Sequence, residues 1–170
     1  MRNLAAISYR FTGSELCMLK MVLNLSSPAE WPLPQADVHQ MEEAFSSLQD
    51  AGLLLRDGRR MVVDGQAALL MRILCDRRWS LTAQGKKLKI ALFSGAEMFL
   101  LVRQLRGEQY VFTPHPDLGE AMSGFLTLVP SDQEIFSIRL WSQTLRWAGQ
   151  CAASELHIVL PQFISSMKEG

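Results

Sequence analysis

Apolar positions recur at helical spacing in two stretches near the start of the chain. In "TGSELCMLKMVLNL", Leu16, Leu19, Val22 and Leu23 make one stripe with Met18 beside it. Thr12 or Ser14 is placed to cap that helix, and Glu15 favours the positive end of its dipole. "SSPAEWPLP" then breaks the pattern with three prolines, so Ser26 to Pro34 is a loop, tucked down by Trp31 and Leu33. Asp37 caps the next helix, where Val38, Met41, Ala44, Phe45 and Leu48 share a face, and Gly52 stops it. Two short apolar runs follow, Leu53 to Leu55 and Met61 to Val63. The turn-forming pair Asp57-Gly58 lies between them and predicts a small hairpin. Asp64 then caps a third helix, roughly Gly65 to Arg77, with Leu69, Leu70, Ile73 and Leu74 as its stripe.

From Trp79 the period shortens. "WSLTAQ", "KKLKIALFS", "EMFLLVRQLR" and "QYVFTPHP" read as strands, the last three joined by turns at Ser94–Ala96 and Arg106–Glu108. Phe99 to Val102 is apolar at every position, which calls for cover on both faces of the sheet or an apolar face kept for a partner. After Pro116 the pattern turns helical again. Asp117 caps a stripe of Leu118, Met122, Phe125 and Leu126. "SDQE" has the form of a capping box, Ser131 with Glu134, and predicts a helix through "IFSIRLWSQTLRWAG" ending at Gly149. The segment from Ser154 reads as helix on both sides of Pro161, with a strand at "LHIVL" as the alternative.

Together these elements predict one α+β domain spanning residues 1–170. A central antiparallel sheet of three to four strands (79–116), plus the small hairpin, is flanked by a helical N-terminal part (1–78) and a helical C-terminal part (117–170). The composition agrees: 48% hydrophobic and 20% charged residues suit a globular chain with a real core.

Charge adds a polarity that the overall balance hides. The 17 basic and 17 acidic residues cancel, yet Arg56 to Arg106 holds eleven Lys/Arg against four Asp/Glu. Acidic residues outnumber basic ones six to three before Arg56 and seven to three after Arg106. A basic middle between acidic flanks favours an acidic partner if the middle forms one surface. Cys17, Cys75 and Cys151 are too far apart in sequence for a C-x-x-C pair and read as buried thiols in a reducing cytoplasm. The N-terminus is too polar for a secretory signal, and no apolar run is long enough to span a membrane.

No nucleotide-binding loop, nucleophile elbow or H-E-x-x-H metal motif is present, and His39, His115 and His157 are isolated from one another. The chain is therefore expected to be no enzyme and to need no cofactor and no metal. A helix followed by a hairpin is the outline of a winged-helix nucleic-acid reader, with Arg59-Arg60, Arg77-Arg78 and Lys86-Lys87-x-Lys89 as its cations. The helix before the hairpin opposes that reading. It carries Glu42, Glu43 and Asp50 and no Lys or Arg, so DNA phosphates would repel it.

The order of features in "LQDAGLLL", "DG", "VVD", "LLMRIL" and "LKIALFSGAEMFLLVRQLRGEQYVF" resembles that of the EspG-type chaperones of type VII secretion, over roughly residues 12–130. The resemblance implies a cytoplasmic, non-enzymatic protein that binds a helical secretion substrate and keeps it soluble. It also implies that the sheet and a turn between its strands meet the partner. On that reading Phe93, Met98, Phe99, Leu101, Arg103, Arg106 and Tyr110 are the candidate contact residues, although core packing is the competing role for the apolar ones. The expected partner is then a protein, with no membrane, with nucleic acid disfavoured, and with a homodimer left open.

Overall fold

A computed structural model describes residues 7–129 and 134–168 of the chain, without the side chains of 166–168. Its centre is a seven-stranded antiparallel sheet of order β1-β7-β6-β5-β4-β8-β9, with β2 and β3 set apart as a hairpin. The α+β class read from the sequence is therefore present, with a larger sheet than expected. The four expected strands are β4 (Trp79–Gln84), β5 (Lys89–Ser94), β6 (Phe99–Leu105) and β7 (Gln109–His115). They sit side by side as an antiparallel meander. Strand β1 (Tyr9–Thr12) adds to the β7 edge, and β8 (Ile135–Ser142) with β9 (Arg146–Ala152) adds beyond β4.

Alternation along the strands sorts side chains onto two faces. Phe11, Ala91, Phe93, Leu100, Val102, Tyr110 and Phe112 point to one face, where α1 (Gly13–Val22), α2 (Val38–Asp50), α3 (Gly65–Cys75) and Trp31 pack over them. Leu81, Ile90, Leu92, Leu101, Phe136, Ile138 and Leu140 point to the other face, under α4 (Leu118–Leu128) and α5 (Ala153–Lys168). The apolar run at Phe99–Val102 thus supplies both cores.

The helix ends are set where their cap residues stand. Thr12 and Asp37 each close a capping box, with Glu15 and Gln40. Asp64 and Asp117 accept backbone N–H bonds at the starts of α3 and α4. The small hairpin pairs β2 (Leu54–Asp57) with β3 (Arg60–Val63), and Asp57 opposes Arg60. The two turn residues are accordingly Gly58 and Arg59, one position later than the Asp57-Gly58 pair. Gly58 has φ +60°, which suits the first position of a type II′ turn.

The expected helix through Ile135 to Gly149 is instead the β8–β9 hairpin. Phe136, Ile138 and Leu140 are buried while Ile135, Ser137 and Arg139 are exposed. That period of two outweighs the "SDQE" start signal, whose Ser131 lies outside the described residues. The helical C-terminal part is thus helix α4, a hairpin and helix α5. The last segment takes the helical option, not the strand. Two expected core positions, Val38 and Leu69, are 76% and 46% exposed, so the stripes of α2 and α3 are narrower than the periodicity indicates.

Candidate protein-binding surface

The seven residues expected to meet a partner do not share a face. Phe93 and Tyr110 point toward the α1–α3 layer and are buried, each with its ring edge-on to Trp31. Burial, with Glu108 nearby, raises the Tyr110 phenol above its usual range. Leu101 points the other way, is buried against the α4 side, and contributes to the second core. These three side chains hold the sheet to its helices and offer no surface to a partner. Phe99 is half-buried and tilted against Trp79 on the same face as Leu101. Met98 is half-buried in the β5–β6 turn, at the end of the sheet opposite Arg106. Only Arg103 and Arg106 come together, at the end of β6.

A further candidate surface, not read from the sequence, lies on β8 and β9. Their register places Ile135, Ser137, Arg139 and Trp141 of β8 beside Ala152, Gln150, Ala148 and Arg146 of β9. These side chains point to the face that α1–α3 occupy farther along the sheet, yet among the described residues no helix lies over them. Ile135 is 62% exposed. Arg139, Arg146, Ala148 and Gln150 are also exposed, and Trp141 is half-buried. The signal was present as strict alternation in "IFSIRLW", one parity buried and the other open.

A polar corner closes this surface against the first core. Arg77, just after α3, binds the Glu30 carboxylate with both Nε and Nη2, the latter at 2.6 Å. Ser80 of β4 donates to the same carboxylate at 2.7 Å. The Arg77 guanidinium stacks on the Trp141 ring, 3.8 Å from its centroid. One arginine therefore ties the proline-rich loop, the start of β4 and the open face of β8 together. A planar, permanently charged group suits such a bidentate and stacked position.

A basic cleft lies at the sheet end that carries the β4–β5 and β6–β7 turns. It measures about 470 Å³ and is lined by Gln84 to Lys89 and Arg103 to Arg106. Five of these ten residues are cationic: Lys86, Lys87, Lys89, Arg103 and Arg106. Lys89 sits over the Trp31 ring at 4.4 Å, and burial, reinforced by Arg139, lowers its amine below the ordinary lysine range. A second groove of about 490 Å³ runs between α4 and α5, lined mainly by Met122, Leu126, Pro161 and Ile164.

The histidines do not converge. His39 pairs with Glu43 on the exposed surface of α2 at 3.1 Å. His115 is buried at the end of β7, and its Nε2 is without a hydrogen-bond partner. Among the described residues no cluster of His, Cys, Asp or Glu is arranged to hold a metal ion.

Comparison with solved structures finds a likeness over most of the chain. The fold resembles that of EspG5. That protein is a type VII secretion system chaperone of Mycobacterium tuberculosis, solved in complex with a PE25–PPE41 dimer. The superposition has a TM-score of 0.58 and covers 87% of this chain and 84% of the other, at 9% sequence identity. At that identity the likeness concerns the fold. No protein-family profile matches the chain, and no curated protein sequence does. The fold-level part of the resemblance read from the sequence is thus supported by an independent comparison of backbones.

Proposed function

We propose that this chain is a non-enzymatic adaptor or chaperone that binds a helical protein partner in the cytoplasm, a substrate of a type VII secretion system. The observation that carries the reading is the open half-face of the sheet over β8 and β9 in a fold like that of a secretion chaperone. Farther along the sheet, β5, β6, β7 and β1 carry the α1–α3 layer on this face. On this half-face an exposed isoleucine, a half-buried tryptophan and exposed arginines stand in one plane. Tryptophan and arginine are the residue types that anchor protein interfaces. Among the described residues no helix is long and apolar enough to cross a membrane, which suits a partner-binding role away from the bilayer.

The residues proposed to meet the partner are Ile135, Arg139 and Trp141, with Arg103 and Arg106 at the adjoining end of the sheet. Met98 and Phe99 are second in order, because they lie at the other end and are half-buried. The test is co-expression with candidate small helical secreted proteins, drawn from whatever the gene's neighbourhood encodes. A soluble complex should form that is lost with Ile135→Glu while the variant keeps its fold. Failure of every such protein to form a complex, or complexes indifferent to Ile135→Glu, would overturn the reading.

A further inference from the structure

The basic cleft asks for a ligand of its own. Lys89 lies directly opposite Gln84 on one side and Gln104 on the other, while Arg103 is paired with Ile90 and points to the other face. Cations therefore surround the end of the sheet from both faces. Lys86 and Lys87 project from the four-residue β4–β5 turn, and Arg106 from the three-residue β6–β7 turn. Among the described residues none of the five pairs with a carboxylate within 4.0 Å. Like charges held together without direct ion pairs raise the energy of the free protein and favour an anion that joins them.

The turn that presents the lysines is itself held in place. Gly85 donates to the Leu88 carbonyl at 2.8 Å, and the Lys86 backbone N–H donates to the Glu134 carboxylate at 2.7 Å. A side chain at position 85 would meet Glu134 Oε1 and the Phe136 ring, each at 2.7 Å, so the turn lies flat on the start of β8. The Glu134 carboxylate thus fixes the backbone of the turn. Such a preformed site gives up less entropy on binding.

We infer that this cleft is a clamp for two or three carboxylates presented by an acidic segment of the protein partner. The inference rests on the proposed adaptor function and gives the partner a chemistry. Lys89 connects the clamp to the open half-face, because Lys89, Gln84 and Ser137 stand side by side across β5, β4 and β8. A partner lying across β8 would thus meet the cleft at its edge. Three features favour carboxylates on a protein over a nucleic acid. The lining holds Gln, Gly, Lys, Leu and Arg and no aromatic ring on which a base would stack. Glu108 and Glu134 stand at its rims and interrupt any longer track of phosphates. The chain as a whole has no net positive charge.

The experiment uses fluorescence anisotropy with the full chain and labelled octa-glutamate as probe. Octa-lysine and a single-stranded DNA octamer serve as comparisons. Octa-glutamate should bind, and its affinity should fall as salt rises. The triple variant Lys86→Glu, Lys87→Glu, Arg106→Glu should weaken that binding by about tenfold or more. The triple variant Arg56→Glu, Arg59→Glu, Arg60→Glu carries the same change in net charge on the small hairpin and should bind like the wild type. Equal losses from the two triples, or no binding of octa-glutamate, would overturn the clamp. So would tighter binding of the DNA octamer that the first triple abolishes. If the probe binds as expected and no helical protein forms a complex, the adaptor reading fails and the clamp stands. If complexes form but the first triple leaves octa-glutamate binding unchanged, the clamp fails and the adaptor reading stands.

Discussion

Replacing Glu30 by alanine tests whether the Arg77 corner holds the proline-rich loop to the sheet. The Glu30 and Arg77 side chains are only 7% and 11% exposed, and both ends of the guanidinium edge meet the carboxylate. Removing one partner of a buried pair costs about 3–5 kcal/mol, because the other charge stays desolvated and unmatched. Two features lower that figure here. Arg77 keeps its stack on Trp141, and its Nη1 keeps the Cys75 carbonyl at 3.4 Å. One feature raises it: the Ser80 hydroxyl, 1% exposed at the residue level, loses its acceptor, which costs about 1 kcal/mol. A net loss of about 3 kcal/mol follows, equivalent to a fall of roughly 6–12 °C in Tm for a chain of this size. Urea denaturation of Glu30→Ala, Arg77→Ala and the double variant would give a coupling of about 2–3 kcal/mol if the two act as a pair. Glu30→Met with Arg77→Met should recover most of the loss, since an apolar pair of similar volume leaves no charge stranded. A Glu30→Ala loss under about 1 kcal/mol, or additive single effects, would refute the reasoning.

Trp31→Ala should cost about 3–5 kcal/mol in chemical denaturation, because the indole is 0% exposed and packs against both Phe93 and Tyr110. Gly85→Ala should destabilise by about 1–2 kcal/mol and also weaken octa-glutamate binding, because its methyl group meets the Phe136 ring and Glu134. Stability unchanged by Gly85→Ala would mean the turn is free to shift. Burial lowers the His115 pKa, with Glu120 opposing, so the folded state favours the neutral ring. Its contribution is therefore complete above the unfolded value of about 6.5 and is lost as pH falls from there toward the lowered folded value. Stability profiles between pH 8 and 5 should show this fall in the wild type and a smaller one in His115→Phe. Ile135→Glu should change Tm by no more than about 1–2 °C, since a substitution at an exposed site stays within about 0.5 kcal/mol.

Much of the fold was legible because local chemistry and tertiary packing agreed. Thr12, Asp37, Asp64 and Asp117 are cap residues by type and cap residues in fact. The meander from Trp79 to His115 was legible because apolar runs alternate with turns that contain glycine or lysine. The hairpin of β8 and β9 was obscured by a local start signal at "SDQE", which competed with the two-residue alternation that packing on α5 enforces. Strand β1 is four residues long, and its only inward large side chains are Tyr9 and Phe11, too little pattern to separate it from a polar terminus. The proposed binding surface was legible in part. Cations in the middle of the chain were visible, but their meeting depends on register, which brings Lys89 opposite Gln104. The apolar candidates Phe93, Leu101 and Tyr110 were indistinguishable from core by sequence, since only the helical layers decide which faces are covered.

Those layers are shared unequally, and the inequality positions the site. Three N-terminal helices and the loop with Trp31 cover β1, β7, β6 and β5 on one side. Helices α4 and α5 cover β4, β5, β6 and β8 on the other side. Adding β8 and β9 therefore extends the sheet beyond the reach of the first layer, and half a face is left open. An antiparallel sheet can meet water on one face when that face is polar. Ser137, Arg139, Arg146 and Gln150 satisfy that condition. Ile135 and Trp141 do not satisfy it, and Trp141 is held flat by an arginine whose own charge is fixed by Glu30. A surface that is mostly polar but carries a rigid aromatic anchor, with cations at one end, matches an interface made and released more closely than one buried for good. Release is what the proposed adaptor role requires.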